Sequence, residues 1–178
     1  MRNPGLVTVG GPRRGEMMGL SIAQMKLSRI AREGAERLQA ECPWVVFTSG
    51  RRDLEEQAHA MAVNVSLNRN WIRETYLHAD SAHQWVMAHP EADTAKALHE
   101  GLYQHLLSLP DSAVFKISYH LTGDAFDVKP MQADKGLPTL YGEKILEVMR
   151  SLPGLDKVLL KEGGLVRWHA QFIPSVEI

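Results

Sequence analysis

Apolar positions along this chain recur with two different periods, and the switch between them marks where helices give way to strands. From Ser21 onward, Ala23, Leu27, Ile30, Ala31 and Leu38 share one face at helical spacing. Ser21 and Gln24 have the spacing of a capping box at the start of that helix, and Pro43 sets its end. Trp44 to Thr48 is short, aromatic and β-branched between Pro43 and Gly50, which predicts a buried strand. Asp53 with Glu56 predicts a second capped helix, with Leu54, Ala58, Met61 and Val65 on its inner face. Residues 71–109 have a helical pattern broken near Pro90, and 113–128 and 157–172 are the segments predicted to be strand-rich. A helix from Thr139 to Arg150, closed by Pro153 and Gly154, separates those two segments. Helices and strands do not alternate regularly, so the expected class is α+β: a small antiparallel sheet flanked by helices. Residues 1–19 hold Gly, Pro and Arg without a period and are expected to form an irregular N-terminal arm on a single domain spanning 1–178.

Composition narrows the function. The 20 basic and 21 acidic residues give a formal charge of -1 with neither half strongly basic, so nucleic acid and anionic membrane surfaces are not expected partners. No segment approaches the roughly 20 apolar residues of a membrane span, and the N-terminus lacks the apolar run of a signal peptide. Cys42 is the one cysteine. An internal disulfide is therefore excluded, Cys42 is expected to be buried and inert, and any zinc site must be built from His and carboxylate.

Two segments hold groups suited to such a site. In Ser118–Val128, His120 precedes Asp127, and Gly123 permits a sharp turn between them. The small Ala125 leaves room beside Asp127, which alternates with apolar Phe126 and Val128 and so faces away from them. In Leu165–Phe172 a strand would put Val166, Trp168, Ala170 and Phe172 on one face, with Arg167, His169 and Gln171 on the other. Two imidazoles and one carboxylate could hold a divalent cation with one coordination position left open, the pattern of catalytic zinc sites. Asp127 and His169 could equally form a plain cross-strand hydrogen bond. The histidines of the helical stretch are spaced differently. His78 and His83, like His99 and His105, do not share a helical face, and these four and His89 are expected to be solvated or packed.

Ser118, His120, Gly123, Ala125 and Asp127, followed by Trp168–His169, resemble the zinc D-alanyl-D-alanine carboxypeptidases and the phage L-alanyl-D-glutamate endolysins. The pattern those families share is Ser-x-His-x-x-Gly-x-Ala-x-Asp, then Trp-His or Pro-His near the C-terminus. Thr48–Arg52, with Gln57 following, is similar to their Ser-Gly-(aromatic)-Arg stretch, although Arg51 stands at the aromatic position. The matching segments span about residues 44–172 in the family's order, and the stretch 66–112 has no counterpart that can be aligned. The resemblance implies a D,D-peptidase/hedgehog-like fold, one Zn2+ per chain held by His120, Asp127 and His169, and a peptidase acting on peptidoglycan stem peptides. It implies that Arg52 holds a substrate carboxylate or carbonyl oxygen, and that Ser118 lies near the substrate or supports the His120 loop.

One position departs from that pattern. The family's general base is an acid three residues before the last histidine, and here that position is Val166. Glu162 and Asp124 are the replacement candidates. The departure opens an alternative: a catalytically silent zinc-binding relative that binds wall peptide or serves as a structural virion protein, as the hedgehog signalling domain carries zinc in a role other than wall cleavage. A third possibility is a helical interaction module in which the His/Asp matches are accidental. With no signal peptide, the expected route to the wall is synthesis in the cytoplasm and later release or delivery, as for a phage lysin or a particle-borne lytic protein.

Overall fold

The computed structural model describes residues 19–133 and 136–174, so most of the predicted N-terminal arm lies outside the described residues. Nine helices and four strands occur among them: α1 Ile22–Met25, α2 Arg29–Glu41, β1 Phe47–Ser49, α3 Leu54–Leu67, α4 Trp71–Thr75, α5 Asp80–Ala88, α6 Ala95–Leu107, α7 Asp111–Val114, α8 Tyr119–Thr122, β2 Ala125–Val128, α9 Leu140–Arg150, β3 Leu155–Glu162 and β4 Leu165–Phe172. The class is mixed α+β, with one four-stranded antiparallel sheet in the order β1-β2-β4-β3.

Local chemistry accounts for most boundaries. Asp53 and Glu56 form a complete capping box on α3, and the Thr139 hydroxyl accepts from Gly142 N to start α9. Ser21 and Gln24 likewise form a capping box, but the helix they open ends after four residues. Lys26 takes a left-handed conformation (φ 50°), and the chain becomes helical again only at Arg29. The predicted continuous helix is therefore split. The backbone groups freed by the break bind elsewhere: Arg51 N donates to Met25 O at 2.8 Å, and Ser28 N to Gly123 O at 3.0 Å. Tertiary partners outside the helix have replaced helical hydrogen bonds.

The largest correction concerns 113–128. Only Ala125–Val128 is a strand, and the earlier part forms α7 and α8. Val114 and Ile117, three apart, are buried, whereas the intervening Phe115 is 50% exposed. The apolar spacing is that of a helical turn, although the residue types favour a strand. The strand predicted from Trp44 is also shorter, beginning at Phe47. The stretch 71–109 breaks a second time, between α4 and α5, in addition to the break around Pro90.

Two apolar clusters result. One face of the sheet, with Phe126, Val128, Trp168, Ala170 and Phe172, packs against α2 and α9 through residues such as Leu38, Ile145 and Met149. The second cluster is helical and joins α3–α7 to Leu121 of α8. The opposite sheet face, carrying Asp127 and His169, meets the helical cluster where α8 precedes β2. The Cys42 thiol is free and buried, and burial raises its pKa.

Candidate metal centre

Two local devices and one carbonyl distant in sequence aim His120. The Ser118 hydroxyl accepts from His120 N and starts α8, and Gly123 ends it in the left-handed region at φ 80°. A side chain at Gly123 would also press on the backbone of the α1–α2 break, 3.1 Å from Ser28 N. His120 Nδ1 lies 2.7 Å from Gly50 O. A carbonyl can only accept, so Nδ1 carries the hydrogen and Nε2 presents its lone pair inward. Gly50 can approach this closely because it has no Cβ to collide with Met25.

Asp127 and His169 face each other as register partners of β2 and β4. His169 Nδ1 is 2.8 Å from Asp127 Oδ1, so the cross-strand hydrogen bond is present. His120 makes the arrangement more than a strand pair: its Nε2 lies 3.2 Å from His169 Nδ1 and 3.4 Å from Asp127 Oδ2. All three side chains are buried, and their ligand atoms lie within 4.8 Å of one another. Among the described residues this is the one group of its kind, and the histidines of the helical stretch form no other.

The protonation pattern fits a cation. Burial lowers the pKa of His120, with Arg52 adding to the effect and Asp127 opposing it. Burial opposes ionisation of Asp127, yet the charges and hydrogen bonds of His120 and His169 hold its carboxyl well below the usual range. Burial also works against a charged His169, but the hydrogen bond and charge of Asp127 outweigh it and raise the pKa. One N–H, on His169 Nδ1, thus faces an imidazole lone pair and a carboxylate at once. A divalent cation in place of that proton would meet two nitrogens and an oxygen. This donor set suits zinc among several first-row metals.

A cavity of about 510 Å³ opens onto the group, between the sheet and α4. Arg52, Ser118 and Glu162 all line it. Glu162, at the end of β3, brings Oε1 to 3.9 Å from His169 Nδ1. Burial raises its carboxyl above the ordinary range, against the pull of His169. Asp124 is buried but does not line the cavity, so of these two acids Glu162 alone reaches it. Val166 packs with the sheet–α2–α9 cluster, away from the cavity.

Arg52 is more engaged than its expected role requires. Nε donates to Ser49 Oγ at 3.1 Å, Nη1 to Gln57 Oε1 at 3.4 Å and Nη2 to Asp127 Oδ2 at 3.2 Å. Its backbone N also donates to His120 O at 2.9 Å. The guanidinium therefore braces the His120–Asp127–His169 group directly. Trp71, Thr75 and Tyr76 of the α4 region form the facing wall of the cavity. No sequence pattern singles them out, because they lie in the stretch without an alignable counterpart.

No family model, curated protein or solved structure matches this chain. No helix among the described residues is long and apolar enough to cross a membrane.

Proposed function

We propose that this protein is a zinc-dependent peptidase of peptidoglycan stem peptides, of the D,D-carboxypeptidase or L-Ala-D-Glu endopeptidase type. The observation that supports this most is the convergence of His120, Asp127 and His169 on the floor of a cavity that also holds an acid, Glu162. The resemblance of the Ser118–Asp127 and Trp168–His169 segments to those peptidases supplies the substrate class.

Zinc bound by these residues would polarise a scissile carbonyl and make water more acidic. The rest falls to side chains of this chain. Glu162 would take a proton from the attacking water at a carboxylate oxygen and hand it to the leaving amine; its raised pKa brings the carboxyl closer to the range suited to that shuttle. Arg52 would hold Asp127 in orientation through its hydrogen bond to Oδ2, with its remaining N–H groups available to substrate oxygens. Gly50 O would keep His120 in the tautomer that leaves Nε2 free.

The test is incubation of zinc-loaded protein with purified muropeptides, with products read by mass spectrometry. Cleavage at or next to a D-amino acid is expected. A full equivalent of bound zinc with intact muropeptides would overturn the assignment and leave the silent wall-binding relative as the better reading. Val166, the residue at the family's acid position, favours that second reading. Restoring an acid there would not discriminate between the two, because position 166 packs on the core side of β4.

A further inference from the structure

Gln57 is a fully buried polar side chain on α3, beside Ala58 and Met61. A buried amide must have partners, and both of its ends have one. Oε1 accepts from Arg52 Nη1 at 3.4 Å, and Nε2 donates to the Tyr76 hydroxyl oxygen at 2.9 Å. The arginine can only donate, so the amide orientation is determined by chemistry. Gln57 therefore connects the guanidinium that touches Asp127 to a phenol on the opposite wall of the cavity.

Tyr76 follows α4 and is held by its ring, which stands edge-on to Trp71 with centroids 5.4 Å apart. Its oxygen accepts from Gln57, and its own O–H has no protein acceptor among the described residues. Donation into a hydroxyl oxygen makes that hydroxyl a better donor, and such chains reinforce one another when removed from water. Burial pushes its pKa up to about 12, so the phenol stays protonated at any working pH.

We propose that Tyr76 is a substrate-binding donor: its O–H hydrogen-bonds a carbonyl or carboxylate oxygen of a ligand seated beside His120, Asp127 and His169, and Gln57 is the positioning residue that aims it. The substrate class rests on the peptidase reading, whereas oxygen recognition rests on the geometry. A ligand oxygen here would meet a neutral donor that no pH change within the working range removes. Arg52 has three of its five donors committed within the protein, so Tyr76 would supplement the two N–H groups that Arg52 keeps free.

Two measurements separate this inference from the peptidase assignment. The first titrates acetate into cobalt-loaded protein and follows the visible bands of the metal. Tyr76→Phe keeps the ring but leaves the buried Gln57 Nε2 without its acceptor, so the melting temperature should fall by roughly 2–12 °C, while metal content matches the parent and the acetate Kd rises about tenfold, the effect of losing one hydrogen bond to an anion. Gln57→Met should raise the Kd in the same direction. The double variant should be no weaker than Tyr76→Phe, because Gln57 acts through the phenol. The second measurement compares muropeptide cleavage, where Tyr76→Phe should lower kcat/KM by about 10²-fold. If the parent binds no acetate, or if both single variants stay within twofold of it, the inference is overturned. An inactive parent whose acetate affinity depends on Tyr76 would overturn the peptidase reading and uphold the donor.

Discussion

At the scale of single residues, the proton on His169 Nδ1 decides how the site meets a cation. His169 holds it above the ordinary imidazole value of 6.5, while His120 is pushed below that value and Asp127 stays ionised. A metal must displace that proton and only that one, so affinity should fall as pH drops through the raised His169 pKa. Calorimetry of zinc binding at pH 6, in buffers of different ionisation enthalpy, should report release of about one proton per ion. Release near zero would mean that the imidazoles are not protonated as described. Glu162 makes a second test possible. Its raised pKa means that the folded state holds the proton more tightly than the unfolded chain does. The resulting stability is complete below pH 4.5, the unfolded value, and is lost as pH rises through the folded value. Metal-free Glu162→Gln should therefore be at least as stable as the parent at pH 7, with the gap closing below pH 4.5. With metal, the same variant should keep its zinc and lose about 10²–10⁴ in rate, the usual contribution of a general base. A stable, metal-loaded variant with undiminished turnover would remove Glu162 from the mechanism.

At the scale of elements, the β3–β4 hairpin determines where Glu162 sits. Its turn, Gly163–Gly164, has both residues at positive φ (51° and 82°), and a side chain at Gly163 would collide with the Trp71 ring of α4. Glu162 is held over the site because the turn closes tightly against that helix. Gly163→Ala should lower stability by about 1 kcal/mol or more, from the backbone conformation and the clash together. It should also reduce turnover much more than zinc content, since the ligands lie on β2, β4 and α8. Denaturant melts, zinc analysis and a cleavage assay on the same preparation would show whether the hairpin tip acts separately from the ligand set.

At the scale of the whole molecule, the ligands belong to different packing units. His120 precedes Leu121, which belongs to the helical cluster, and Asp127 and His169 alternate with residues of the sheet cluster. A bound ion should therefore tie the two clusters together and stabilise the fold as a unit. With free zinc at a thousand times its Kd, linkage contributes about 4 kcal/mol, or an upward melting shift of roughly 8–16 °C for a chain of this size. Asp127→Ala should abolish the shift. A parent that melts at one temperature with zinc and with chelator would show that the three side chains hold no ion.

Much of this architecture was readable before any fold was known, and the reason is distance along the chain. Capping boxes at Ser21 and Asp53, the α9 start at Thr139, and the two faces of β4 depend on residues a few positions apart, and backbone chemistry acts over that range. A turn glycine and strand alternation are local signals too and made His120, Asp127 and His169 candidates, while the ligand set itself was what the family resemblance implied. Other features depended on partners distant in sequence. The break after α1 exists because Arg51 and Gly123 take up its free backbone groups, and the helical turns at 111–122 prevailed where residue type suggested a strand. The bracing of Asp127 by Arg52 and the Gln57 link to Tyr76 each join residues on different elements. Period and capping act within a turn or two and can be read along the sequence, whereas a shared proton or a bridging amide exists only once the chain path has brought its partners within about 3 Å.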